Sequence, residues 1–334
     1  MSNLTVSTNL GIEEVFAGIV VITLGTVGSI TSIIVIIQII RTPVFHTAFG
    51  YICVSNLIAD SIELLINALW AGPAILLRLD ASITHSFVGE RFGQLILFFW
   101  FAIIYSHMQI AINRMVAIAW PMRYSEIFTG RKLVYFISIF WILSFVHALL
   151  YSRHVCSAWF DAIQFRWTFP PRSCANGGYF YLSFTHGMTT SLLIFSINTV
   201  TFICIWKKMR VQSQSNGSEQ QMSLLRKNIR LYVQGCISST ITVLTTISFH
   251  FLSPLAKTRM ELFVATTVIW EITHMSDGVI LIIFNKPLRT MLFQPHQMLK
   301  KAKSKLGTVM RCRGCFTFRV QSRRNKKSQI SNGI

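Results

Sequence analysis

The chain has 334 residues, of which 52% are hydrophobic and only 13% charged, with 31 Lys and Arg against 12 Asp and Glu. A soluble domain carries charge on roughly a quarter of its residues, so this composition excludes an ordinary soluble enzyme or binding module and points to the membrane. The formal net charge of +19 would suit nucleic acid, but it lies in segments that flank apolar runs. No nucleic-acid partner is expected, and attraction to anionic membrane lipids accounts for the charge.

Residues 1–14 read as a polar N-terminal tail without the basic start and small-residue cleavage site of a removed leader. Asn3-Leu4-Thr5 within it is a glycosylation sequon. From Val15 to Ile40 there is no ionisable side chain. At the helical rise this run spans about 39 Å, more than the hydrocarbon core requires. Further apolar runs follow at about 47–75, 92–119, 133–152, 179–206, 230–253 and 262–284. Backbone groups in lipid must be satisfied within their own segment, which makes all seven runs helices. The fold class expected is therefore an all-α integral membrane protein, a seven-transmembrane helix bundle over 15–301 that includes a short interfacial eighth helix. About 24 of the 31 Lys and Arg fall on one side of such a bundle. The positive-inside rule then places the N-terminus outside and the tail inside.

The second run carries Asn56, Asp60, Glu63 and Asn67 at i, i+4, i+7 and i+11, one face of a helix. The seventh carries Trp270, His274 and Asp277 on one stripe, with Glu271 one step round. Ionised side chains at mid-bilayer cost about 2.5–3.5 kcal/mol each, so Asp60, Glu63, Glu271 and Asp277 together oppose insertion by roughly 10–14 kcal/mol. These stripes must face the bundle interior. If they meet, the carboxyl groups share protons, pair with His274 or hold a cation. Either they form a packing network with no ligand, or the outer members, Glu63, Asn67, Glu271 and His274 with Trp100 and Trp270, face a small, partly apolar ligand. His107, His147, His186 and His250 each occur singly in other helices and read as satisfied interior histidines.

Cys156 and Cys174 both fall in the loop between the fourth and fifth spans, on the oxidising side, where a disulfide between them is expected. The loop 207–230 has basic ends around a polar centre, and its Asn216-Gly217-Ser218 sequon would face the cytosol. Residues 287–301 read as an interfacial helix interrupted at Pro295, followed by a basic tail over 302–334 that contains Cys312, Cys315 and several serines. No metal ligand set and no cofactor are expected.

At the inner end of the third span the sequence runs Asn113-Arg114-Met115-Val116-Ala117-Ile118-Ala119-Trp120-Pro121-Met122-Arg123-Tyr124. This resembles the Asp-Arg-Tyr region of rhodopsin-like receptors with its following Val-Ala-Ile and Pro-Leu-x-Tyr. Asn56-Leu57-Ile58-Ala59-Asp60 is similar to their second-helix polar face. Asp277-Gly278-Val279-Ile280-Leu281 stands where they carry Asn-Pro-x-x-Tyr, and Asn285-Lys286-Pro287-Leu288-Arg289 where their eighth helix opens. A closer resemblance is to the nematode chemoreceptors called serpentine receptor class X, through Phe49-Gly50, Pro121 to Phe128, the paired loop cysteines, and His274, Asp277-Gly278 and Asn285. The resemblance implies a chemosensory G-protein-coupled receptor in the plasma membrane, and in sensory cilia, that takes a small extracellular ligand. It further implies coupling to a heterotrimeric G protein through Asn113, Arg114, Pro121 and Tyr124, and a switch network of Asn56, Asp60, Asp277 and Asn285.

Three departures from the rhodopsin-like pattern matter. Asn113 replaces the acid before the arginine, so the local ion pair that would restrain Arg114 is absent and appreciable basal signalling is expected. No cysteine lies near Gly89 to bridge to the following loop, and Ile103 takes the place of a polar residue that helps hold sodium. The alternative function is a ligand-gated channel or transporter that uses the intramembrane carboxyl groups, but no inverted repeat or paired broken helices appear. A retinal receptor would need a lysine inside the seventh span, and enzyme motifs are missing, so no catalytic residues are assigned.

Overall fold

The computed structural model describes residues 11–150, 157–168, 179–214 and 219–293. It contains seven helices long and apolar enough to cross a membrane. They are α1 (Ile12–Arg41), α2 (Ala48–Leu76), α3 (Phe87–Ala119), α4 (Gly130–Leu150), α5 (Tyr179–Gln214), α6 (Ile229–Leu255) and α7 (Arg259–Phe284). The α6 helix begins earlier in sequence, at Glu219. Asn3, Cys156, Cys174, Asn216, Pro295 and the 302–334 tail with Cys312 and Cys315 lie outside the described residues.

Several helix starts follow from local chemistry. The Thr47 hydroxyl accepts from Gly50 N at 3.3 Å to open α2, and Ser86 accepts from Gly89 N at 3.4 Å to open α3. Thr258 and Glu261 form a reciprocal capping box at the start of α7. Each cap satisfies donors that have no partner within the helix.

The bundle is apolar outside and mixes apolar and polar side chains within. Ile19, Ile30, Phe195, Phe202 and Ile283 are exposed large apolar side chains, whereas Asn56, Asp60, Glu63, Gln109 and His274 are buried. Lipid tails are as apolar as leucine, so helix association in a membrane draws on close packing and interhelical hydrogen bonds. Trp141 Nε1 donates to Ser55 Oγ at 2.7 Å between α4 and α2. Gln109 Nε2 donates to the Phe136 carbonyl at 2.8 Å between α3 and α4. The hydroxyls of Thr245 and Thr273 meet at 2.5 Å between α6 and α7.

One feature is not helical. Residues Trp159–Asp161 (β1) and Arg166–Thr168 (β2) pair antiparallel and fold back over one end of the bundle. The turn is made by Asp161, whose carboxylate accepts from Ile163 N at 2.9 Å and Gln164 N at 3.0 Å. Phe160, Phe165 and Trp167 of this hairpin are buried. The approach is close enough that a Cβ on Gly93 of α3 would stand 1.7 Å from the Ala158 carbonyl oxygen. At this same end, three helices each widen by one π-type turn, at Asn67–Ala71, Ser248–Leu252 and Val264–Val268. Such turns redirect side chains and recur at functional sites.

The bundle forms one compact unit through Phe284, and the chain from Asn285 forms a second. Within the second unit the described helix is α8 (Lys286–Phe293). The Asn285 carbonyl accepts from Arg289 N at 3.1 Å as that helix begins.

Candidate functional site

The stripes on α2 and α7 meet, and α3 adds a third. Asn56 Nδ2 donates to Asp60 Oδ2 at 2.8 Å and to Asp277 Oδ2 at 3.0 Å. His274 Nδ1 lies 2.9 Å from Asp60 Oδ1, and its Nε2 lies 3.2 Å from Glu63 Oε1, near enough for an ion pair though not aligned as a hydrogen bond. On the other side His107 Nε2 stands 3.3 Å from Asp277 Oδ2. The result is a buried chain running Glu63, His274, Asp60, Asn56, Asp277, His107. Carboxyl groups alternate with imidazoles or an amide, which answers the cost of burying charge away from water. Among the described residues no group of three or more His, Cys, Asp or Glu is arranged to hold a metal ion. The pairing of Asp60 and Glu63 with His274 is present. Asn285 begins the second unit and is described there.

At the hairpin end of this chain lies a cavity bounded by Trp100, Trp167, Thr246, Phe249, His250 and Trp270 among others. Its floor is an aromatic pair, Trp100 and Trp270, with ring centroids 5.0 Å apart. Immediately beneath is His274, whose ring lies 5.9 Å from that of Trp100 and 6.3 Å from that of Trp270. Of the six residues expected to face a ligand, Trp100 and Trp270 line the cavity. Glu63, Glu271 and His274 are fully buried and are not on its wall. Asn67 serves the lid instead, its Oδ1 accepting from Trp167 Nε1 at 2.8 Å.

At the opposite end, a space of about 350 Å³ is bounded by Cys53, Asn56, His107, Arg114, Gly235 and Asp277 among others. Arg114 is buried. Its guanidinium lies 5.5 Å from the Phe49 ring centroid and against Gly235 of α6, where an added Cβ would stand 1.1 Å from Nη1. Among the described residues it has no carboxylate ion pair. Asn113 points elsewhere and donates to the Tyr124 hydroxyl at 3.1 Å. Tyr124 sits in the short helix Pro121–Ile127, which Pro121 opens just beyond α3. Burial holds its phenol above the usual range, against the lowering effect of the Asn113 hydrogen bond.

The family model for the serpentine type 7TM GPCR chemoreceptor Srx matches residues 22–285. The chain belongs to this family. Its similarity to Srx proteins extends over nearly the whole length: it is 24% identical to serpentine receptor class X 45 of Caenorhabditis elegans over 305 residues, 87% of this chain and 84% of that one. It is 23% identical to serpentine receptor class X-43 of the same organism, covering 89% of this chain and 92% of that one. Squid rhodopsin shares the fold, with a TM-score of 0.60 at 17% identity and 85% of each chain covered. This Srx-family protein is accordingly a seven-span membrane receptor of the G-protein-coupled class.

Two sets of contacts in the receptor escape a helix-by-helix reading. His107 pairs with Asp277, and the sequence does hold a signal: Trp100, His107 and Arg114 recur every seven residues, so they share one stripe of α3. His147 and His186, single in their helices, come together with rings 4.2 Å apart. Tyr105 Oη lies 2.8 Å from His147 Nδ1 and 2.9 Å from His186 Nε2. No spacing within one helix signals that cluster, because its three members come from α3, α4 and α5.

Proposed function

We propose that this Srx-family receptor is chemosensory, takes a small ligand in the cavity beneath the hairpin, and activates a heterotrimeric G protein through the end of the bundle that holds Arg114. On this reading the N-terminus is outside the plasma membrane and the Arg114 end faces the cytosol, as the distribution of Lys and Arg supports. No catalytic step is assigned to it.

The observation that carries the reading is the shared stripe of α3. Trp100 lines the outer cavity, Arg114 lines the inner one, and His107 lies between them against Asp277. A ligand that moves the Trp100–Trp270 pair therefore presses on His274, and through Asp60 and Asn56 on Asp277 and the inner cavity. Physically this is a bundle with two packings, whose balance shifts by the difference in ligand affinity between them.

The test is a screen of an odorant library in cells that express a promiscuous G protein, with Arg114→Ala at equal surface expression as the control. Responses to library members that vanish in Arg114→Ala and that drive nucleotide exchange in isolated membranes are expected. A response that survives the substitution, or a ligand-gated current with no G protein present, overturns the coupling role.

A further inference from the structure

The carboxyl groups beneath the outer cavity are unevenly served. At the inner end, Asp277 has Asn56 and His107. Further out, Asp60 shares that Asn56 amide, and Asp60, Glu63 and Glu271 have the single imidazole of His274. Both oxygens of Glu271 are buried without a hydrogen-bond partner, and the residue is 0% exposed. It follows Trp270 directly in α7. The outer part of the site thus holds three carboxyl groups and one imidazole, in a region where water does not screen.

Directly above these carboxyl groups is a surface suited to a cation. The Trp100 and Trp270 rings form the cavity floor, and tryptophan offers the strongest cation-binding face among the aromatic side chains. The remaining wall is mostly apolar, with Ile96, Leu97, Phe249 and Trp167, and it also carries His250 and two threonines. Resting on the ligand cavity argued above, we propose that the receptor's ligand class is a small organic ammonium ion. Its charged nitrogen sits on the Trp100–Trp270 pair above Glu63 and Glu271, and its apolar body lies against Phe249 and the hairpin. The ammonium adds a second positive charge to a region of three carboxyl groups and one imidazole, and its field reaches the carboxyl groups through the indole rings and the low-dielectric interior.

Binding is measured on the full-length receptor in lipid nanodiscs without G protein, by thermal stabilisation. The probes are matched pairs: phenethylamine against phenethyl alcohol, isoamylamine against isoamyl alcohol, and benzyltrimethylammonium against neopentylbenzene. Dose-dependent stabilisation by members of the cationic set, with their neutral partners inert, is expected. Glu271→Gln and Glu63→Gln should each weaken the cation's apparent affinity by roughly tenfold or more. Equal stabilisation by neutral partners, no stabilisation by any cation, or a cation preference that survives in both variants overturns the proposal. The wild-type comparison decides alone if the variants do not fold. Cation binding that fails to drive nucleotide exchange would count against coupling while leaving the ligand class standing.

Discussion

Replacing Gly235 by alanine presses directly on the place where Arg114 of α3 rests against α6. The added Cβ would stand 1.1 Å from Nη1 and 2.2 Å from Cζ of Arg114, far inside contact. The guanidinium ends a flexible side chain on the wall of the inner space, so it yields by leaving its place rather than by displacing backbone. Its contact over the Phe49 ring, at 5.5 Å, is then lost, and a desolvated contact of this kind is worth about 1–2 kcal/mol. A change of that size alters a two-state ratio roughly 5–30-fold. If the Arg114 seat restrains α6, ligand-free nucleotide exchange should rise severalfold in membranes matched for surface expression. Exchange equal to or below that of the parent receptor, with the variant folded and at the surface, would refute the restraint.

Three other outcomes are expected. Asn113→Asp restores an acid beside Arg114 and should lower ligand-free output; unchanged output at equal surface expression would sink that idea. Asn56→Ala removes both hydrogen bonds that join Asp60 to Asp277 and leaves two buried carboxyl groups short of a donor, so it should destabilise the receptor by about 2–4 kcal/mol. Thermal unfolding in nanodiscs reads this directly, and a loss under about 0.5 kcal/mol would mean that the pair finds other partners. Trp167→Phe keeps the hairpin ring but loses the 2.8 Å bond to Asn67. It should cost about 1 kcal/mol and speed hydrogen exchange in residues 159–168, whereas unchanged protection would show that Asn67 does not hold the lid.

The polar core was largely legible from the sequence, because placing Asn56, Asp60 and Glu63 on one face needs only helical periodicity, and the expense of carboxyl groups in lipid turns that face inward. Arg114 and Tyr124 were legible differently, through a motif whose spacing resembles that of known receptors. The role of His107 was readable in principle from its spacing to Trp100 and Arg114. Its partner was not, since Asp277 is 170 residues further along the chain, as the numbering shows. Glu63, Glu271 and His274 share helix faces with cavity residues but are not on the cavity wall, and depth within a face, which no sequence period reports, is set by how neighbouring helices pack.

By itself the sequence determined seven apolar spans, the side that carries most of the basic residues, and which polar side chains of the second and seventh helices face inward. All three follow from local quantities: segment length, charge position and a period of 3.6 residues. Only the tertiary structure decided that His274 bridges Asp60 and Glu63, that Tyr105 joins His147 to His186, and that residues 159–168 form a strand pair over the cavity. Those contacts depend on the rotation of each helix about its axis and on a loop folding back across the bundle. Both are fixed by packing among residues distant in the chain, for which no local period exists.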